Sequence, residues 1–158
     1  MKKRIDAAVV DTSALICIAL DEPAAKLFLD GFSRTGSLFI GAATRAETWL
    51  AIYNLKGAKG AKMVDDLIDA LKVKTIDFGA DSLPHFRQGG ADYHHKHNEN
   101  ARLNIGDLFT YSLAKHLDLP LFFQGTDFSN TNLANAMKVL GYQMSATGVP
   151  FAAPTIER

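Results

Sequence analysis

The sequence is short of cysteine, of net charge and of long apolar runs. It has a single cysteine, Cys17, so an internal disulfide is excluded. Seventeen Lys and Arg residues balance seventeen Asp and Glu residues, so a polyanion would have to be bound by a local patch rather than by an overall positive field. Asp6 and Asp11 interrupt the apolar stretch that follows Lys2, and no run reaches the roughly 18 apolar residues of a membrane span. We therefore expect a cytoplasmic protein that does not contact membranes.

Apolar segments of strand length alternate with segments of helical periodicity. Strands are predicted at residues 7–11, 37–40, 73–78 and 119–123, with an edge strand at 142–144. Helices are predicted at residues 23–32, 44–55, 63–71, 105–117 and 133–140, and residues 81–102 are helical in part with a break at Gly89 and Gly90. This order predicts an α/β fold, a three-layer α/β/α sandwich around a mainly parallel sheet. We expect one domain over residues 1–144 and a C-terminal tail over residues 145–158.

Four acidic residues fall at the ends of these predicted elements. Asp11 ends the first strand, Glu47 lies one turn into the helix after the second strand, Asp107 lies in the first turn of a later helix, and Asp127 follows the strand at 119–123. In an open parallel sheet, ligands bind outside the carboxyl ends of the strands. The acids are therefore expected to converge at one edge of the sheet.

Each acid also has a purely structural interpretation. Thr44 to Glu47 matches a capping box, and Asp107 stands at the equivalent position three residues after Asn104. Asp11 and Asp127 precede hydroxyl and amide residues and are typical of turns or helix caps. These interpretations explain the acids one by one, but not their shared location.

Converging carboxylates need a cation. Two of them about 4 Å apart repel by about 4 kcal/mol at an effective dielectric constant of about 20. Oxygen ligands without cysteine or histidine favour Mg²⁺ or Mn²⁺ over zinc. Such an ion usually keeps water and binds phosphate oxygens, which indicates phosphodiester hydrolysis.

Four motifs resemble a known family. VVDTSAL, TRAETWLAI, ARLNIGDLFTYSLAKHLDLPLFF and GTDFSNTNL, in this order, resemble PIN-domain ribonucleases of the VapC toxin type over about residues 7–142. The resemblance implies a PIN-like three-layer fold and Mg²⁺ or Mn²⁺ bound by clustered acids. It also implies cleavage of RNA, a homodimer and a cognate antitoxin protein that neutralises the enzyme.

The resemblance assigns Asp11, Glu47, Asp107 and Asp127 to the acidic centre. Water would attack an RNA phosphodiester in line and leave a 5′-phosphate and a 3′-hydroxyl, with Glu47 either a ligand or the residue that orients the water. Supporting roles go to residues beside the acids, some of which also fit a plain helix cap: Thr12, Ser13, Thr126 and Asn132. Thr126 and Asn132 depart from the family pattern, which often has Asn or Asp at the first position and Asp at the second.

The most basic local stretch precedes the LNIGD motif. It is a hypothetical RNA contact, or else a solvated surface, and consists of His94, His95, Lys96, His97 and Arg102. Two other functions stay open. A phosphatase with Asp11 as nucleophile is disfavoured because Ser13 stands where a second acid is expected, and a non-catalytic PIN-like module would bind RNA or protein without cutting.

Overall fold

A computed structural model describes residues 2–97, 99–100 and 102–152 and contains a four-stranded parallel sheet. Its strands lie in the order β3-β2-β1-β4, and their bounds are β1 Ile5–Val10, β2 Thr35–Gly41, β3 Lys74–Ile76 and β4 Leu121–Phe122. In this register Val9 pairs with Phe39 of β2 and with Leu121 of β4. Because β1 is central, its carboxyl end opens between two neighbouring strands.

Six α-helices accompany the sheet in the described residues. They are α1 Thr12–Ala19, α2 Ala25–Ser33, α3 Ala42–Ala70, α4 Leu83–Tyr93, α5 Ile105–Leu117 and α6 Ala136–Val139, and a 3-10 helix covers Ala80–Ser82. None of these helices combines the length and the apolar character that a membrane span needs.

The period-two alternation of the strands separates two apolar cores. Ala8 and Val10 of β1 pack into a core with α1, α2, α6 and part of α3. Val9, which points to the opposite face, packs with α5 and with Leu103. The sheet therefore lies between two helical layers, as expected for a three-layer α/β/α sandwich.

Several boundaries differ from the sequence-based prediction. Helix α1, directly after Asp11, was not predicted, and α6 is shorter than residues 133–140. By contrast, the break expected between the predicted helices 44–55 and 63–71 is present inside α3, as a kink at Gly57, whose backbone is non-helical (φ 69°). The predicted break at Gly89 and Gly90 is wrong, because α4 runs through both residues. A side chain at Gly89 would lie 2.5 Å from the Tyr111 ring, so this glycine allows α4 to pack closely on α5.

A small hairpin follows α6. Its strands β5 Gln143–Met144 and β6 Pro150–Phe151 pair antiparallel. The Gly148 carbonyl accepts a hydrogen bond from the Gly125 amide at 2.9 Å, which joins the hairpin to the loop after β4. The domain limit at residue 144 stays a prediction, and residues 153–158 of the predicted tail lie outside the described residues.

Candidate active site

Asp11 occupies the carboxyl end of the central strand and caps α1. It is 5% exposed, and three hydrogen bonds orient its carboxylate. Oδ2 accepts from the Ser13 amide (3.1 Å) and from the Ser13 hydroxyl (2.7 Å), and Oδ1 accepts from the Thr110 hydroxyl (3.0 Å). Desolvation by burial raises the pKa of Asp11 above its usual value, although the bonds from Ser13 and Thr110 act in the opposite direction. The capping interpretation of Asp11 is correct, and it leaves Oδ1 with room for a further partner.

The hydroxyls around Asp11 form a directed chain. Thr110 has one hydroxyl proton, which it donates to Asp11, so in its 2.9 Å contact with Thr44 it must be the acceptor. On the other side, the Ser13 hydroxyl accepts from the Gln124 amide at 3.0 Å while it donates to Asp11. Side chains and backbone from α1, α3, α5 and the end of β4 thus hold one carboxylate.

Glu47 lies on α3 beside Asp11, not in a capping box. Helix α3 begins at Ala42 after Gly41, so the predicted capping role with Thr44 is wrong. Glu47 Oε1 is 3.2 Å from the Thr12 hydroxyl, which also lies 2.8 Å from the Thr48 hydroxyl. Desolvation by burial, followed by the nearby negative charge of Asp11, raises the pKa of Glu47.

Asp107 is both a capping residue and a neighbour of the other acids. Its Oδ2 accepts from the Asn104 amide (3.0 Å), and the Asn104 side chain accepts from the Asp107 amide (2.9 Å). Desolvation by burial raises the pKa of Asp107 to about 7, and the charges of Asp11, Asp127 and Glu47 push it in the same direction. The capping interpretation is therefore correct for this residue, and the charges of the other three acids act on it.

Asp127 lies at the exposed end of the group, in the loop after β4. After desolvation by burial and the charge of Asp11, the charge of Asp127 also raises the pKa of Asp107. The neighbouring Thr126 is exposed, whereas the Asn132 side-chain carbonyl accepts a hydrogen bond from the Tyr111 hydroxyl at 2.9 Å. The sequence analysis gave Asn132 a supporting role in the acidic centre. In the structure its side-chain oxygen instead holds the Tyr111 hydroxyl.

The donor set suits a hard divalent ion held in an open site. Within the described residues, no three His, Cys, Asp or Glu side chains lie close enough together to enclose a metal ion as they stand. In the same part of the chain, none of the four acids forms an ion pair with Lys, Arg or His. Among these described residues, no ion pair therefore offsets the mutual repulsion of the acids. A hard divalent ion can be bound through only one or two carboxylates with several retained waters, so a closed set of three ligands is not required.

The PIN-domain family model matches residues 8–133, most of the chain. The chain belongs to the PIN-domain family. It is 34% identical over 126 residues to Ribonuclease VapC30 of Mycobacterium tuberculosis, which covers 80% of this chain and 95% of VapC30.

Solved structures agree with this PIN fold. The Mycobacterium tuberculosis VapC20 structure, described as a sarcin-ricin loop cleaving toxin, has a TM-score of 0.66 at 14% identity and covers 80% of this chain and 96% of its own. VapBC2 from Rickettsia felis, bound to a DNA fragment from its promoter, has a TM-score of 0.66 at 16% identity. The match covers 82% of this chain and 96% of the Rickettsia felis chain. At these identities the likeness supports the three-layer fold alone.

Sequence reasoning missed several residues that shape this PIN-domain site. Thr44, Thr110 and Gln124 hold Asp11 directly or through one hydroxyl. Gly106 adjoins Glu47, since a Cβ built on it would lie 1.9 Å from Glu47 Oε2. Only their spacing in the sequence pointed to a role in the site. Gly106 directly precedes Asp107, and Thr110 lies one helical turn after Gly106.

The basic stretch of the PIN domain packs partly on itself. The rings of His94 and His95 are 4.4 Å apart, and the His97 Nδ1 donates to the Gly90 carbonyl at 3.0 Å. Partial burial, followed by the neighbouring basic side chains, lowers the pKa of His94, so this ring adds little charge near neutral pH. Lys96 and Arg102 are exposed. An RNA contact by this stretch stays a prediction.

Proposed function

We propose that this chain is the ribonuclease toxin of a toxin–antitoxin pair and that its activity depends on Mg²⁺ or Mn²⁺. The observation that carries the proposal is the group of four acids at the carboxyl edge of the sheet, in a PIN domain related to a named VapC ribonuclease. An RNA substrate also agrees with the predicted cytoplasmic location.

In this proposal Asp11, Asp107 and Asp127 hold the divalent ion. When bound, the ion supplies positive charge to the scissile phosphate and makes water easier to deprotonate. Asp11 serves best as the fixed point of the site because its carboxylate is buried and oriented by Ser13 and Thr110. Any bound cation would lower the pKa of Asp107 and so keep that carboxylate ionised at neutral pH.

Glu47 is suited to orient the attacking water. Glu47 is an exposed residue, and within the described part of the chain its carboxylate receives one hydrogen bond, from Thr12 to Oε1, while Oε2 lies against Gly106. Its raised pKa gives it a greater affinity for the proton that the water loses. Whether Glu47 also ligates the ion is a separate question that metal titration of Glu47→Gln answers.

An antitoxin partner is proposed from the relatives that are solved as VapBC complexes, such as the one from Rickettsia felis. Exposed apolar side chains on α3 support a protein partner, because Leu50, Leu55 and Met63 are 53%, 63% and 62% exposed. The homodimer implied by the resemblance stays a prediction.

RNA cleavage tests the proposal directly. The purified chain and its Asp11→Asn variant would be incubated with a panel of structured RNAs, with Mn²⁺ or with chelator. We expect cleavage by the parent chain with Mn²⁺ alone, new ends that carry 5′-phosphate, and a loss of more than about 100-fold in Asp11→Asn, because changes that only orient a ligand already cost about 10–100-fold. Binding without cleavage would instead support a non-catalytic PIN-like module.

A further inference from the structure

A polar cleft lies beside Asp127, between the loop after β4 and the β5–β6 hairpin. It encloses about 550 Å³. Thr126 and Phe128 line it, so the segment that forms one wall is the segment that carries Asp127. The cleft is therefore bordered by the two chain neighbours of Asp127, although Asp127 itself does not line it.

The charge in this cleft is opposite to that of the acidic centre. Two cationic side chains line it, Arg102 and Lys138, and no Asp or Glu does so among the described residues. Neither cation forms an ion pair within that part of the chain. Ser129, Asn130 and Ser145 add hydroxyl and amide groups to the walls. Cations with neutral hydrogen-bonding groups and no carboxylate are the composition expected for a bound polyanion.

Part of the cleft comes from residues that the PIN-domain match does not reach. The match ends at residue 133, whereas Lys138, Ser145 and Gly148 belong to α6 and the hairpin. The hairpin is held against the loop at Gly125, two residues before Asp127. Gly148 makes this contact possible, because its φ is +76° and a Cβ there would lie 2.0 Å from the Gly125 carbonyl oxygen.

We propose that this cleft binds the phosphate backbone of the RNA strand on one side of the scissile phosphate, with Arg102 and Lys138 as the phosphate contacts. The inference rests on the proposed ribonuclease function. Backbone contacts of this kind position the strand at Asp127 and contribute affinity that is independent of base sequence. Phe123 and Phe128 are each 3% exposed, so the cleft offers phosphate contacts rather than a surface for stacking bases.

The test compares two charge-matched double variants. Arg102→Gln with Lys138→Gln removes both cleft cations. Lys26→Gln with Arg87→Gln is the control, since both residues are exposed and neither lines the cleft. Each pair is made in the Asp11→Asn background, and binding of a fluorescent 20-nucleotide single-stranded RNA of mixed sequence is followed by anisotropy over a range of salt concentrations.

We expect the cleft pair to weaken binding at least about five-fold and to reduce the slope of log Kd against log salt by about 1.4, since each phosphate contact on a single strand contributes about 0.7. The control pair should leave both quantities close to those of Asp11→Asn. Equal losses in the two pairs, no loss in either, or no RNA binding by Asp11→Asn would overturn the inference.

Cleavage kinetics separate this inference from the proposed function. For this measurement the Arg102→Gln, Lys138→Gln pair is made in the chain that keeps Asp11. It should raise KM for an RNA that the parent chain cleaves and leave kcat nearly unchanged. If the cleft pair cleaves RNA with the same KM as the parent chain, the inference is contradicted while the ribonuclease proposal stands. If no chain cleaves any RNA, both fail.

Discussion

The Thr110 hydroxyl donates a 3.0 Å hydrogen bond to Asp11 Oδ1 although 99 positions separate the two residues in the sequence. Thr110 is 1% exposed, and its own oxygen accepts from Thr44. Helix α5 therefore supplies Asp107 to the site and also fixes the orientation of Asp11 on the central strand. One helix thus contributes to the positions of both acids.

Thr110→Val should impair the site more than the fold. It keeps the side-chain shape but leaves Asp11 Oδ1 and the Thr44 hydroxyl without this partner, which costs about 1–3 kcal/mol of stability. RNA cleavage should fall about 10–100-fold, as expected for a residue that orients a metal ligand. Thr110→Ser restores the hydroxyl and should recover most of the activity, and failure of this rescue would contradict a positioning role.

Gly106→Ala should reduce cleavage without destabilising the protein. The Cβ of an alanine there would lie 1.9 Å from Glu47 Oε2, so the flexible Glu47 carboxylate must move away, whereas Ala is a better helix former than Gly. Gly90→Ala is the matched control, because its nearest neighbour would be Leu108 Cδ1 at 3.8 Å. Thermal unfolding and RNA cleavage would be measured for both variants. Equal activity in the two would show that the position of Glu47 is unimportant.

Asp107→Asn should stabilise the metal-free protein, and more so at high pH. Burial raises the pKa of Asp107 to about 7, so between its usual value of 3.8 and about 7 the folded state holds more protons than the unfolded state. The free energy of unfolding therefore falls as pH rises through this range, and the penalty is complete above about 7. The melting temperature of the variant relative to the parent should rise from pH 4 to pH 8, by about 2–4 °C for each kcal/mol relieved. If the difference in melting temperature stayed constant with pH, the fold would not disfavour the ionised form of Asp107.

Mn²⁺ should bind the parent chain more tightly as pH rises through about 7. The ion needs ionised carboxylates, and Asp107 loses its proton with a pKa of about 7. Below that value, each unit of pH should weaken binding by up to about tenfold for one competing proton. Calorimetric titration at pH 5.5, 6.5 and 7.5 checks this. An affinity that is independent of pH would exclude Asp107 from the ligand set.

The sequence predicted the layers, and the positions of the acids near the ends of strands and helices, because both depend on local patterns. The apolar run before Asp11 and the periodicity of residues 105–117 identify a buried strand and a helix without reference to partners. Chain order then places Asp11 at the carboxyl edge. The separation of the acids, which leaves them in electrostatic contact but without a closed cage, depends on tertiary packing and could not be predicted.

Glycines and threonines show where local signals fail. Gly89 and Gly90 were expected to break a helix, but Gly89 allows α4 to pack on Tyr111, so tertiary packing overrides its low helix propensity. Thr44 was expected to cap a helix and instead donates to Thr110 from inside α3. Neither role is visible until the partner helix is in place.

The location of a bound Mn²⁺ ion tests the central claim most directly. A crystal of the protein soaked with Mn²⁺ above pH 7.5 would be measured for anomalous scattering. We expect an anomalous peak within about 2.5 Å of Asp11 Oδ1 and of an Asp107 oxygen, since hard divalent ions bind oxygen at about 2.0–2.6 Å. A peak at His94 and His97 alone, or none near Asp11, would contradict the claim that these acids form a metal centre.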